Sequence, residues 1–231
     1  MNSFQSFLFV APILLFSVIA HEIAHGYAAL RQGDPTAFQL GRLTWNPVRH
    51  IDPFMTILLP AMLWIGSGGK VVLGGAKPVP VNPRNYRHYK RGDIIVSLAG
   101  VATNFVVAIA CAVLIVVFGV AGKALAAATA TFGILQVMMV YGVYLNLALI
   151  AFNLIPIPPL DGSHVAKYLL PVRWSWRYQQ LGRYGIVVLI ILLWFPAVLN
   201  AWMAPADYVT QHLLSAVDRF VLPSATQWFA P

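Results

Sequence analysis

The sequence is poor in cysteine and in charge: it has one cysteine, and only 10% of its 231 residues are charged. Soluble domains typically contain about 25% charged residues, so the composition excludes an ordinary soluble enzyme. The single cysteine, Cys111, excludes an internal disulfide bond and a metal site built from several cysteines. Any metal ion would therefore need histidine and carboxylate ligands.

Acidic residues are also scarce, with 7 against 15 lysines and arginines, which gives a net charge of +8. Such a charge can indicate nucleic-acid binding, but here the basic residues lie in short segments between apolar runs. In that position they set the orientation of a membrane protein. We therefore expect the lipid bilayer, and no nucleic acid, as a partner.

Four apolar runs are long enough to cross a hydrocarbon core of about 30 Å, which takes roughly 20 helical residues. They are residues 4–30, 94–120, 132–152 and 184–202. A fifth run, residues 54–65, would reach only about 18 Å as a helix. Basic segments flank it on both sides, so the positive-inside tendency favours a re-entrant segment that returns to the cytoplasmic side.

The predicted fold is an all-α polytopic membrane protein with about four transmembrane helices and a re-entrant segment. Without an internal repeat or a large extramembrane region, residues 1–231 form a single membrane-embedded domain. Its core is about residues 4–170, followed by a C-terminal helix at 184–202 and a tail at 203–231. Residues 208–221 of that tail can form an interfacial helix.

Glu22 is the only glutamate in the chain, and it stands in the run His21-Glu22-Ile23-Ala24-His25. On a helix, positions i and i+4 share a face, so the two imidazoles can bind one metal ion. Zn²⁺ binds neutral imidazole nitrogens. A catalytic zinc site also needs a third protein ligand, an open position for water, and a carboxylate that takes a proton from that water. Because ionisable groups in a membrane cost about 2.5–3.5 kcal/mol each, a functional site is favoured over a chance polar cluster.

A second polar stretch, Asn153 to Gly162, follows the apolar run at 132–152 and contains three prolines. Prolines break a helix, and broken backbone at membrane depth must line a polar cavity or be buried in protein. We therefore expect Asp161 to be the third metal ligand and Asn153 to be a hydrogen-bonding group in the same cavity.

Two alternatives for this stretch remain open. Asp161 can instead be the N-cap of a helix over residues 162–170. His164, three residues later, is the rival for the third ligand position.

The two stretches together resemble the site-2 protease family of intramembrane zinc metalloproteases. Members of that family have both an H-E-x-x-H helix and an N-x-x-P-x-x-x-x-D-G motif. Both occur in this sequence, at residues 21–25 and 153–162. The likeness covers about residues 15–167. One departure is Val101, where family members commonly have the proline of A-G-P-x-x-N.

The resemblance implies that His21, His25 and Asp161 bind one catalytic zinc ion, that Glu22 is the general base, and that Asn153 contacts the substrate backbone. It implies a zinc metalloprotease that hydrolyses peptide bonds of transmembrane protein substrates. Since His21 lies about 26 Å along its helix from Phe4, cleavage is expected near the cytoplasmic side of the bilayer.

Residues 36–45 alternate enough to form a small β-hairpin around Gly41, and similar family members have a sheet near the active site. An edge strand there could pair with an unwound substrate. An ordinary cytoplasmic loop explains the same residues equally well.

The competing function is a metal-ion transporter or a non-catalytic metal-binding membrane protein. Transporters often show paired repeats and polar residues along a path, whereas the intramembrane polar groups here gather at one depth. The sequence therefore favours hydrolysis, in a multi-pass protein of the plasma (inner) membrane of a prokaryote. It does not indicate an oligomeric state or a particular substrate.

Overall fold

A computed structural model describes residues 3–66 and 75–226 of the chain. Residues 67–74 lie outside the described residues; they include Lys70, which belongs to the basic segment that follows the run at 54–65. The helices in chain order are α1 (Ser3–Gln32), α2 (Thr36–Gln39), α3 (Leu59–Gly66), α4 (Tyr89–Ala124), α5 (Thr129–Asn153), α6 (Asp161–Ala166), α7 (Val172–Gln180), α8 (Gly185–Leu193), α9 (Pro196–Val217) and α10 (Pro223–Thr226).

Three helical segments of the described chain are long and apolar enough to cross a membrane: Leu8–Gln32, Tyr89–Ala124 and Ala126–Asn153. They correspond to the predicted runs at 4–30, 94–120 and 132–152, the first of them from residue 8 onward. Helix α5 ends at Asn153, as the prolines that follow predict. The all-α class is confirmed for the described residues, which contain no strand.

The predicted fourth spanning helix, residues 184–202, is broken. Helix α8 ends at Leu193, and α9 begins at Pro196. Proline lacks the amide hydrogen of the helix ladder, and its ring clashes with the carbonyl four residues earlier, so it is favoured in the first turn of a helix, where Pro196 lies in α9. The prediction of one continuous helix across Pro196 was wrong, and the count of four spans is not confirmed.

Helix α9 extends through most of the tail that begins at residue 203. It packs against α5, and the Trp202 indole nitrogen donates a hydrogen bond to the Ala151 carbonyl at 2.8 Å. Of the predicted interfacial helix over residues 208–221, the part up to Val217 belongs to α9; its interfacial position stays a prediction. The contacts of α9 hold it against α5.

The short run at 54–65 is helical. A wide helical turn over Pro53–Leu58 leads into α3, and the Asp52 carboxylate caps it by accepting hydrogen bonds from the Phe54 and Met55 amides at 3.0 and 2.8 Å. Helix α3 has 8 residues, which is too short to cross a bilayer alone.

The predicted hairpin over residues 36–45 was wrong. Residues 36–39 form the single turn α2, and Gly41 makes a turn with φ of 61°. The Asp34 carboxylate accepts hydrogen bonds from the Thr36 amide and hydroxyl. Such local bonds give the backbone an alternative to strand pairing, and alternation of side chains does not reveal them.

Contacts within the chain define two compact units: residues 1–17 with 101–231, and residues 18–100. The first contains Asp161 and is called the aspartate unit; the second contains His21 and His25 and is called the histidine unit. The core of the aspartate unit lies between α4, α5 and α9, and its buried members include Ala108, Ile115 and Val143.

The histidine unit is tied together by Asp34, whose side chain is fully buried. Its carboxylate accepts hydrogen bonds from the Asn82 amide at 2.6 Å and the Asn85 side chain at 2.8 Å, in addition to those from Thr36. Burial by itself would raise the pKa of Asp34, but these hydrogen bonds outweigh it and lower the pKa below its ordinary value. The ionised carboxylate therefore fixes the loop at 82–85 against the end of α1.

Candidate metal centre

His21 and His25 lie one turn apart on α1, and their imidazoles face each other. The two Nε2 atoms are 3.0 Å apart, and the ring planes are inclined by 82°. Two nitrogens that bind one tetrahedral zinc ion at about 2.0–2.1 Å stand about 3.3 Å apart. The pair therefore fits a shared zinc ion with little movement of either ring.

The outer nitrogen of His25 is held by the backbone. Its Nδ1 lies 2.7 Å from the Val96 carbonyl oxygen of α4. A carbonyl can only accept, so Nδ1 carries the proton, and in the neutral ring Nε2 is the lone-pair nitrogen. Metal-binding histidines typically show this arrangement, because the hydrogen bond fixes both the tautomer and the ring orientation.

His21 is packed against Gly100 of α4. A Cβ added at Gly100 would lie 2.5–2.6 Å from three atoms of the His21 ring. Only 6% of the His21 surface is exposed, so the ring is enclosed by the protein. The structure thus identifies the His21 imidazole as the group that needs the space beside Gly100.

Glu22 is held by a loop distant in sequence. Its Oε2 accepts a hydrogen bond from the Val79 amide at 2.8 Å. The loop is in turn fixed by Arg42, whose Nη2 donates to the Lys77 and Pro78 carbonyls at 3.0 and 3.3 Å. No local sequence pattern connects the loop around Val79 with Glu22, because the two bonded residues are 57 positions apart.

Asp161 is the first residue of α6, and Leu160 is the N-cap, without a side-chain cap bond. The alternative in which Asp161 caps this helix was therefore wrong. Gly162 packs tightly on the preceding loop, since a Cβ there would lie 2.3 Å from the Leu154 carbonyl oxygen. His164 lies in the same helix and, like Asp161, is partly buried.

Asn153 is the last residue of α5, where the helix ends. Its Nδ2 donates to the Leu149 carbonyl at 2.9 Å. A side-chain amide has two N–H donors, so this bond accounts for one of them and fixes the direction of the group.

The histidine unit thus brings together three of the predicted residues, namely His21, Glu22 and His25. Asp161 and Asn153 belong to the aspartate unit. Their participation in one site with the histidines stays a prediction.

Comparison with known proteins gives consistent matches over most of the chain. The model of Peptidase family M50 matches residues 9–195. A Bacillus subtilis protein named as the zinc metalloprotease YwhC is 36% identical over 229 residues, covering 99% of this chain and 95% of its own.

Two mycobacterial proteins named as the zinc metalloprotease Rip2 also match. The Mycolicibacterium smegmatis protein is 31% identical over 91% of this chain and 78% of its own. The Mycobacterium tuberculosis protein is 31% identical over 96% of this chain and 83% of its own. No solved structure matches the chain.

Proposed function

The chain belongs to Peptidase family M50, and on that premise we propose that it is an intramembrane zinc metalloprotease that hydrolyses transmembrane substrates near the cytoplasmic side of the bilayer. Membership confirms the resemblance to the site-2 proteases. The curated relatives, named as zinc metalloproteases, support zinc as the cofactor.

The facing pair of imidazole nitrogens on α1 carries the proposal. We assign His21, His25 and Asp161 as the ligands of one zinc ion. His25 is already held in the metal-binding tautomer by the Val96 carbonyl, and the N-cap position of α6 falls on Leu160, which favours a metal role for the Asp161 carboxylate over a capping role. A bound zinc ion would act as a Lewis acid. It would lower the pKa of the water bound to it toward about 7 and polarise the carbonyl of the peptide bond to be cleaved.

Glu22 is the proposed general base. It accepts a proton from the attacking water and returns it to the amide nitrogen that leaves. The Val79 amide hydrogen bond holds Oε2 of the carboxylate, so Oε1 is the oxygen assigned to the proton transfer. The loop around Val79 therefore orients the base.

Asn153 is the proposed contact to the substrate backbone. A transmembrane substrate must unwind before hydrolysis, because its peptide groups are otherwise bonded within its own helix. With one N–H committed to the Leu149 carbonyl, the second is assigned to a substrate carbonyl. This contact would replace one hydrogen bond that the substrate loses on unwinding.

The membrane orientation belongs to the same proposal. The shortness of α3 and the basic segments on both sides of it support a re-entrant segment that returns to the cytoplasmic side. The relatives compared above are bacterial, which supports the plasma membrane of a prokaryote as the location.

Removal of the metal tests the proposed function. The purified protein, reconstituted in liposomes with a mixture of single-span membrane proteins, is expected to cleave some of them. A zinc chelator should stop cleavage, and added zinc should restore it, as followed by mass spectrometry of the fragments. Cleavage that persists after zinc has been removed contradicts the proposal. Zinc uptake into the vesicles without cleavage would instead support the transporter.

A further inference from the structure

Helix α7 presents large apolar and basic side chains at the surface of the aspartate unit. Val172, Trp174 and Trp176 are 87%, 61% and 64% exposed, and Arg173 and Arg177 are exposed as well. Single exposed apolar residues are common, but a group that includes two tryptophans usually marks an interaction site. The proposed zinc site uses none of these residues, so the exposed side of α7 calls for another explanation.

One side of α7 faces the rest of its own unit. The Tyr178 hydroxyl donates a hydrogen bond to the Pro156 carbonyl at 3.0 Å, and the side chains of Tyr178 and Ser175 are half-buried. Because successive helical residues turn by about 100° around the axis, Trp176 and Arg173 lie on the side opposite to Tyr178. That opposite side is the one open to a partner.

On the open side, the arginines lie between the two tryptophans. Arg173 and Arg177 are one turn apart and share a face. Val172 and Trp176 form the row on one flank of this face. Trp174 lies on the other flank, where the Arg177 guanidinium carbon is 5.6 Å from the centre of the Trp174 ring. An arginine on an aromatic face is stabilised by a cation–π contact and can still donate hydrogen bonds from the edge of its guanidinium.

The positive charge of this surface is not balanced by its neighbours in sequence. A third exposed arginine, Arg183, follows in the turn after α7, and residues 162–206 contain no aspartate or glutamate. A guanidinium binds phosphate through two parallel hydrogen bonds. The arginines therefore favour an anionic group as ligand, and the tryptophans beside them favour one that is attached to apolar chains.

The position of α7 in the chain places it beside the bilayer. Eight consecutive aliphatic residues follow Gly185 in α8, and α5, which is long and apolar enough to span a membrane, ends at Asn153 in the same unit. Tryptophans and basic residues that flank apolar helices typically lie at the level of the phospholipid headgroups. An amphipathic helix in such a position lies in the plane of the membrane surface.

We propose that α7 lies on the bilayer surface and binds anionic phospholipid. Arg173, Arg177 and Arg183 bind the headgroup phosphates, and Trp174 and Trp176 enter the headgroup region beside them. A second copy of the chain is a poorer occupant, because a two-fold contact through α7 would bring the same arginines together, and residues 162–206 offer no carboxylate to separate them. Water alone is poorer still, because it would leave both indoles hydrated.

Lipid bound to α7 also acts on the loop that precedes Asp161. Tyr178 already bonds to Pro156 in that loop, and the segment after α7 packs on it closely, since a Cβ at Gly185 would lie 2.1 Å from the Pro158 carbonyl oxygen. A lipid that holds α7 therefore holds the loop as well. This consequence rests on the proposed function, in which Asp161 binds zinc, and it predicts faster proteolysis in membranes that contain anionic lipid.

Tryptophan fluorescence of the full-length protein tests the lipid contact. The protein is reconstituted in vesicles of equimolar phosphatidylcholine and phosphatidylglycerol, in which either one lipid or the other carries bromine, a contact quencher. The chain has 7 tryptophans, so the signal of α7 is the difference between the wild type and Trp174→Phe/Trp176→Phe. We expect brominated phosphatidylglycerol to quench this difference signal more strongly. Equal quenching by both lipids, or quenching by neither, would overturn the proposal.

Two sets of arginine variants separate α7 from the overall charge. The first changes the three arginines of the proposed lipid site to glutamine: Arg173→Gln, Arg177→Gln and Arg183→Gln. A basic residue at an anionic surface contributes about fivefold to binding, so each change should lower the preference for phosphatidylglycerol by up to that factor. The matched control removes three exposed arginines from residues 84–91 and should keep the preference: Arg84→Gln, Arg87→Gln and Arg91→Gln. An equal loss in both sets would show that net charge is the cause and would refute the assignment to α7.

Two measurements on the wild type complete the test without any variant of the arginines. Salt at about 1 M shortens the screening length to about 3 Å and should remove the preference for phosphatidylglycerol; a preference that survives would contradict an electrostatic site. Inorganic phosphate, compared with chloride at the same ionic strength, should leave the preference intact, and its loss would assign a site for free phosphate instead of lipid. If the wild type preferred phosphatidylglycerol but cleaved nothing, the lipid site would stand and the proposed protease function alone would fail.

Discussion

Replacing Glu22 with glutamine is expected to stop proteolysis while zinc stays bound. Glutamine keeps the size of the side chain, and its carbonyl oxygen can still accept the hydrogen bond from the Val79 amide. It cannot accept a proton from water, so kcat should fall about 10²–10⁴-fold, the usual contribution of a general base.

Zinc content and cleavage are measured on the same preparation of Glu22→Gln. Because Glu22 is the only glutamate of the chain, no neighbouring glutamate can substitute for it. Cleavage at the wild-type rate would eliminate the proposed mechanism. Loss of zinc together with activity would show that Glu22 is a ligand, contrary to the assignment.

Replacing Asp161 with alanine is expected to release the zinc ion. The variant leaves two imidazoles as protein ligands, and catalytic zinc sites normally have three. Loss of a group that only hydrogen-bonds a metal ligand typically lowers metal affinity roughly 10–100-fold. Because Asp161 is itself the proposed ligand, zinc affinity should fall by more than this. Far-ultraviolet circular dichroism of the variant checks that the fold is kept, since the N-cap position of α6 is Leu160 and not Asp161.

His164→Ala is the matched control, since His164 lies in the same helix and is buried to a similar degree. We expect this variant to bind zinc as the wild type does, in competition with a chromogenic chelator. The opposite result, with zinc retained in Asp161→Ala and lost in His164→Ala, would transfer the third ligand position to the histidine.

The sequence predicted the features that depend on local pattern. Apolar length predicted the three spanning helices, and the spacing of His21 and His25 predicted that their rings share a face. The prolines after Asn153 predicted the end of α5. Each of these follows from residues close to one another in the chain, and the structure agrees with each.

The errors have equally local causes. Apolar length predicts one helix over residues 184–202, but length alone does not show where a proline starts a new helix, as Pro196 does here. At 36–45, side-chain alternation favours strands, but it does not reveal the competing hydrogen bonds that Asp34 accepts from Thr36.

The groups that orient the predicted catalytic residues could not be predicted. The Val96 carbonyl is 71 residues from His25, and the Val79 amide is 57 residues from Glu22. Both are backbone groups, so their side chains carry no signal of the role. Only the packed structure shows that the unit of residues 18–100 holds both the histidine and the base by main-chain hydrogen bonds.

The central claim is that two imidazoles and one carboxylate bind a single zinc ion, and X-ray absorption at the zinc edge of the purified protein tests it most directly. The account predicts a zinc ion with two imidazole nitrogens and the remaining neighbours oxygen, all at about 2.0–2.2 Å. A sulfur neighbour at about 2.3 Å, a single imidazole, or a protein that binds no zinc would contradict it.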